Sequence, residues 1–242
     1  MDTDQHAVRN KLLRSLSPAD FEMLRPAMRV VKFDVHDVIE QPNTPIERVI
    51  FFESGLASII GRLSGGKSIE VGLTGREGMT GSAVILGNAQ TAHRTLVQVA
   101  GSGIALPSTA VVEAMRSSDT LRDVFLAYIH TLLVQTASTV IANGLSKLDK
   151  RLARWLLMLH DRIDGATVAM THEFLAVVLG VRRPGVTVAL HILEGKGLIR
   201  ASRGQITIIN RQGLEVEAGG SYGRAESEYD RLMSEVLEKQ VS

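Results

Sequence analysis

Thr171-His-Glu-Phe-Leu-Ala-Val-Val-Leu-Gly-Val-Arg-Arg-Pro-Gly-Val-Thr-Val-Ala-Leu190 is the stretch whose reading decides the fold. Thr171 suits a helix N-cap, and Glu173 places a carboxylate in the first turn, where the helix dipole favours it. Phe174, Leu175, Val178 and Leu179 form an apolar face, and Gly180 can take the positive φ that closes a helix. A second helix is expected from Arg183 to Glu194, with Pro184 tolerated in its first turn. Val186, Leu190 and Leu193 point inward; Arg183, Thr187, Val188 and His191 are left outside. Gly195 and Gly197 end this helix, and Leu198–Arg200 and Gln205–Ile209 then make a hairpin around Ser202-Arg203-Gly204.

Two short helices joined at a glycine and followed by a hairpin describe a winged helix-turn-helix. Its second helix is narrow enough to enter a DNA major groove, N-terminal residues first. Arginine there can donate two hydrogen bonds to guanine or pair with phosphate. The expected DNA contacts are Thr171, Arg182, Arg183, Thr187, Val188, His191 and Arg203. Charge agrees in sign: Lys147 to Ile209 holds ten Lys and Arg against five Asp and Glu, in a chain of net charge +1. A basic segment in a neutral chain fits a nucleic-acid module, although a solvated helix face looks the same by charge alone.

Moving toward the N-terminus, Lys147–Arg162 reads as a helix with Leu148, Leu152, Trp155, Leu156 and Leu159 inside, ended by Asp164-Gly165. Before it, Leu121, Val124, Phe125, Tyr128, Leu132, Gln135, Thr139 and Ala142 recur in steps of three and four. They predict one long helix from Asp119 to Asn143, capped by Ser118 and stopped by Asn143-Gly144. The near-heptad stripe suits a second copy, so Leu121, Val124, Phe125, Tyr128, Leu132, Gln135 and Thr139 are the expected dimer interface. Packing of the same helix on its own barrel is the alternative. Arg29–Phe33, Arg48–Glu53, Leu56–Leu63, Ser68–Leu73, Thr95–Ala100 and Gly103–Leu106 read as short strands of a barrel or double-sheet roll. Residues 8–28 read as short helices, with Ser17 capping and Pro18 at the first helical position. C-terminal to the hairpin the chain turns acidic, and Arg224–Lys239 reads as a helix after a flexible Gly219-Gly220-Ser221 joint.

Several function classes lose support. The chain has no Cys, which excludes disulfides, thiolate zinc sites, iron–sulfur clusters held by cysteine and a cysteine nucleophile. Its polar start, Met1 to Asn10, lacks a signal-peptide core, and no run approaches ~20 uninterrupted apolar residues. A cytoplasmic protein without a membrane span is expected. The seven His offer no tight metal pair, and no G-x-S-x-G or H-E-x-x-H constellation supports an enzyme. Gly61-Arg-Leu-Ser-Gly-Gly-Lys-Ser68 fits the P-loop letters, yet the alternating residues after it predict a strand, not the helix a P-loop requires. A hairpin turn is expected there.

The order of roll, long helix and winged helix-turn-helix, with Thr171–Leu190, resembles the Crp/Fnr family from about residue 10 to 210. The resemblance implies an α+β fold: a cyclic-nucleotide-binding-like β-roll sensor (1–117), a long dimerisation helix (118–146), a winged helix-turn-helix DNA-binding domain (147–210) and an acidic helical extension (211–242). It implies a homodimeric transcription regulator that binds double-stranded promoter DNA, with RNA polymerase and a small-molecule effector as further partners. A ligand-binding regulatory subunit whose winged helix binds protein is the alternative. The family's recognition helix opens Ser/Thr-Arg-Glu-Thr-Val and then Ser/Gly-Arg. Here Arg183 matches the first arginine and Val186 the valine, while Arg182, Pro184 and Val188 replace the cap, the glutamate and the second arginine. The base code therefore does not carry over. In the sensor, Gly78-Met79 stands for the family's Gly-Glu pair and Arg94-Thr95 for its arginine element, so Gly78, Met79, Arg94 and Thr95 are the candidate ligand residues. Met79 cannot accept a hydrogen bond from a ribose hydroxyl, which counts against cyclic AMP. His93 nearby raises haem, though a lone histidine is more often a surface or hydrogen-bonded residue.

Overall fold

The computed structural model describes residues 4–241, so residues 1–3 and 242 of the expected first and last segments lie outside the described residues. Two short helices lead in, α1 (Lys11–Arg14) and α2 (Pro18–Leu24). Ser17 Oγ accepts from the Asp20 amide at the start of α2, with Pro18 at the first position. Seven strands follow: β1 (Arg29–Phe33), β2 (Val38–Glu40), β3 (Arg48–Phe52), β4 (Leu56–Arg62), β5 (Ser68–Thr74), β6 (Arg94–Val99) and β7 (Gly101–Pro107). A one-turn helix, α3 (Ser82–Ile85), interrupts them. They form two antiparallel sheets, ordered β1-β7-β3 and β2-β6-β4-β5. Phe33, Ile50, Phe52, Ala57, Val97 and Ala105, drawn from both sheets, pack into one cluster that closes the roll. The P-loop-like segment is the β4–β5 hairpin: the Leu63 amide donates to Lys67 O at 2.9 Å, and Gly66 supplies φ +81° in the turn.

Helix α4 (Ser108–Ser117) leads into α5 (Asp119–Leu145), capped by Ser118 Oγ on the Leu121 amide. Asn143-Gly144 does not stop α5. The helix runs to Leu145, and Asn143 Oδ1 instead accepts from Arg151 Nε at 2.9 Å. The expected dimer stripe is taken up by the chain's own core. Leu121, Val124, Phe125 and Tyr128 are buried against α1–α4 and the roll, Gln135 is buried, and Leu132 and Thr139 are half-buried. Its opposite face exposes Leu126, Leu133, Val140, Ile141 and Leu145. Apolar residues on both faces make α5 the one described helix long and apolar enough to cross a membrane by length and composition.

The C-terminal half contains α6 (Leu148–His160), β8 (Thr167–Ala169), α7 (His172–Leu179), α8 (Arg183–Gly195), β9 (Ile199–Ser202), β10 (Gln205–Ile208), α9 (Arg211–Ala218) and α10 (Arg224–Val241). The hairpin β9–β10 gains β8 on its other edge, an antiparallel sheet ordered β8-β10-β9. Trp155, Leu156, Leu175, Val186, Leu190, Leu193 and Ile206 fill the core, which reaches the roll through Leu56 and Leu73. Gly219-Gly220-Ser221 is an anchored turn, not a free joint: both glycines have positive φ, and Ser221 O accepts from Arg154 Nε at 2.8 Å. The chain then returns, and α10 lays Met233 and Val236 into the core formed by α5 and the roll.

Candidate nucleic-acid interface

Local sequence sets the helix-turn-helix. Thr171 Oγ1 accepts from the Phe174 amide at 3.1 Å, Gly180 closes α7 at φ +62°, and α8 starts at Arg183 with Pro184 at its second position. Arg182 stands at the cap of α8 without a capping bond, as its side chain has no acceptor. The axes of α7 and α8 differ by 98°, within the range expected of such a pair.

On α8, Val186, Ala189, Leu190 and Leu193 are buried, while Arg183, Pro184, Val188, His191 and Ile192 are exposed and Thr187 is half-buried. Thr171 and Arg182 are exposed as well, and Arg203 stands exposed at the wing tip. Arg183 Nε donates to Glu173 Oε1 at 3.1 Å, and Thr187 Oγ1 meets His172 Nδ1 at 3.2 Å. Among the described residues, Arg182, Arg200 and Arg203 have no internal hydrogen bond or ion pair.

The basic count overstated the supply of cations for DNA. Arg151 bonds Asn143 Oδ1 and Leu179 O, and Lys196 pairs with Glu217 at 2.7 Å. Arg154 and Arg162 are buried where the two halves meet. Arg162 Nε donates to Glu77 Oε1 at 2.7 Å, and Arg9 and Arg76 both reach Asp164. Glu70, buried on β5, accepts from Ser58 Oγ at 2.5 Å and from Trp155 Nε1 at 2.8 Å. Burial pushes its carboxyl up to about 7, against the opposing effects of those two donors and of Arg154 and Arg162. A cleft of about 310 Å³ opens beside this junction, between Arg76, Glu77, Tyr128, Arg162 and Tyr229.

In the roll, Gly78 and Met79 are packed against Tyr128. A side chain at Gly78 would meet the Tyr128 ring, with its Cβ 2.2 Å from Oη, and Met79 is buried with its carbonyl accepting from Tyr128 Oη at 3.0 Å. The glycine that opens the short helix is Gly81, followed by Ser82. Arg94 is exposed and Thr95 buried. The Glu40 carboxylate accepts from the Gly81 amide at 2.7 Å and from Thr95 Oγ1. The Gly81 amide and the Thr95 hydroxyl are thus already engaged by the Glu40 side chain, which counts against a phosphate group bound at these two donors. Sequence reasoning missed Glu40 because β2 is only three residues long.

A sequence-family description of the Crp-like helix-turn-helix domain matches residues 150–217. Those residues belong to the Crp-like helix-turn-helix family. Most of the chain has the fold of solved Crp/Fnr-family proteins. A protein of Eubacterium rectale described as a Crp/Fnr-family transcriptional regulator superposes with TM-score 0.69 at 20% identity, covering 88% of this chain and 99% of that one. FixK2 of Bradyrhizobium japonicum gives 0.68 at 17% identity, covering 78% and 96%. TTHB099 of Thermus thermophilus, a CRP-family transcriptional regulator, gives 0.66 at 19% identity, covering 80% and 98%. Among curated proteins, none matches the sequence. At these identities the superpositions speak for the Crp/Fnr fold; what each residue does has to be argued from its own surroundings.

Proposed function

We propose that this chain is a homodimeric, sequence-specific DNA-binding transcription regulator. The observation that carries the reading is the outer face of α8, with Arg182 and Arg183 at its N-terminal end, inside a matched helix-turn-helix domain. Helix α8 enters the major groove, the wing tip at Arg203 meets the backbone, and Thr171 abuts a phosphate. The pair of Arg183 with Glu173 is exposed on both sides and is worth at most about 1 kcal/mol, so DNA can take the guanidinium over.

The dimer forms along the exposed seam of α5. Leu126, His130, Leu133, Ala137, Val140 and Gly144 follow one another in alternating steps of four and three, the spacing of a two-helix seam. Two reading helices then face half-sites about 34 Å apart. In this reading residues 4–117 act as sensor, 118–146 as dimer helix, 147–210 as DNA-binding domain and 211–241 as a strap between them. A small-molecule effector and RNA polymerase complete its set of partners in this reading, and the protein works in the cytoplasm.

Fluorescence anisotropy with a labelled duplex, titrated from low to high salt, tests the reading. Affinity should fall steeply with salt, because each phosphate contact releases counterions. Lack of salt-sensitive binding to any duplex would favour a protein-binding winged helix instead.

A further inference from the structure

The exposed surface of α8 is unusual for a helix that reads polar base edges. Pro184, Val188, His191 and Ile192 recur at i, i+4, i+7 and i+8, one stripe down the outer face. Three of the four are apolar. Val188 is 59% exposed and Ile192 38%, whereas the inward residues of the same helix are fully buried, so neither serves the core. Polar neighbours are drawn aside: the Arg183 guanidinium lies on Glu173 and the Thr187 hydroxyl on His172. Arg182 at the start of α8 and Arg200 and Arg203 on the wing are exposed cations without internal partners among the described residues. An exposed, mostly apolar strip on a module that carries free cations is complementary to an apolar group sunk between two rows of phosphates.

The DNA major groove presents one such group. The thymine C5-methyl is the only apolar substituent on its base edges; guanine, cytosine and adenine present donors and acceptors. We infer that this protein reads thymine methyl groups, through Val188 as the central contact with Pro184 and Ile192 beside it. This rests on the DNA-binding reading and deepens it: the preferred half-site carries thymines where the second turn of α8 meets the groove. Val188 falls in that turn, at the sixth residue of α8, so it reaches the bases while Ile192 lies nearer the rim. Arg182 and Arg183 flank the methyl contacts, and His191 is the one hydrogen-bonding side chain on the strip.

The test starts by selecting duplexes from a randomised pool with the full-length protein. The best duplex is then rebuilt with deoxyuridine for thymidine, which removes the methyl and keeps the Watson–Crick edge. Losing burial of one methyl should weaken binding about three- to fourfold, and a dimer with one contact per half-site should lose about tenfold. Returning a methyl to the same position as 5-methylcytosine should recover part of the loss. Val188→Ala, at an exposed position that leaves folding intact, should lose most of the preference for the thymine over the uracil duplex. Salt-sensitive binding that ignores the uracil exchange would overturn methyl reading and leave DNA binding standing. Failure to select or bind any duplex would overturn the DNA-binding reading itself. Methyl sensitivity that persists unchanged in Val188→Ala would remove Val188 from the role.

Discussion

At Gly180 two requirements coincide. The helix-turn-helix needs φ +62° there, and the turn lies against the roll, where an added Cβ would come 2.7 Å from Ile69 Cδ1. The Ile69 methyl is the end of a flexible side chain and can turn away; the backbone cannot. Left-handed backbone costs an L-residue about 1–2 kcal/mol, so Gly180→Ala should lower unfolding stability by that amount. Chemical denaturation checks it, and a background of Ile69→Ala should leave most of the loss in place. Arg183 behaves oppositely. Its exposed pair with Glu173 adds little, so Arg183→Ala should change stability by less than about 0.5 kcal/mol. On a selected operator the same substitution should weaken binding by about 1–3 kcal/mol if the guanidinium meets a guanine. Equal loss on random duplex in a filter-binding series would make it a phosphate contact.

Among elements, α5 shows what periodicity can and cannot tell. The sequence revealed a long helix with an apolar stripe, because Leu121, Val124, Phe125 and Tyr128 recur at helical spacing. It could not show which partner covers that stripe, since a core and a second copy both require apolar surface. Packing decided: those residues fill the chain's own core, and Leu133 and Val140 remain about two-thirds exposed on the opposite face. If the proposed dimer forms on that face, glutamate at Leu133 and Val140 together should convert it to a folded monomer, seen by sedimentation velocity with an unchanged circular-dichroism spectrum. Glutamate at Leu121 should instead abolish folding, as it would bury an unpaired charge. The winged helix was legible for a different reason, because Thr171, Gly180, Pro184 and Gly204 act locally and mark their turns without tertiary help. Short elements escaped. α9 is eight residues long and is capped by the Asn210 side chain, but β2 and β8 have three residues each and α3 is a single turn without a side-chain cap, so these three depend on neighbours to exist. Glu40, which reshapes the candidate ligand site, sits on one of them.

At the scale of the whole molecule, the roll and the helix-turn-helix half share a buried polar junction. Glu70 on β5 holds the indole of Trp155 on α6, so the state of one carboxyl bears on how the two halves meet. An ordinary glutamate titrates near 4.5, as Glu70 would in the unfolded chain, whereas burial raises it to about 7 in the fold. Between these two values the folded protein keeps a proton that the unfolded chain has released. Stability from this group is therefore highest below about pH 4.5, falls as pH rises through the window, and is flat above about 7. The full change is roughly 3 kcal/mol. Glu70→Gln keeps an acceptor for the indole and removes the titration. The variant should be more stable than the wild type above pH 7, with the advantage fading toward pH 5, in denaturation curves collected across that range. Trp155 is the single tryptophan, so its emission reports the junction directly. It should titrate with a midpoint near 7 in the wild type and stay level in Glu70→Gln. A stability difference that does not vary with pH, or an emission titration that survives the substitution, would show that Glu70 does not couple the two halves.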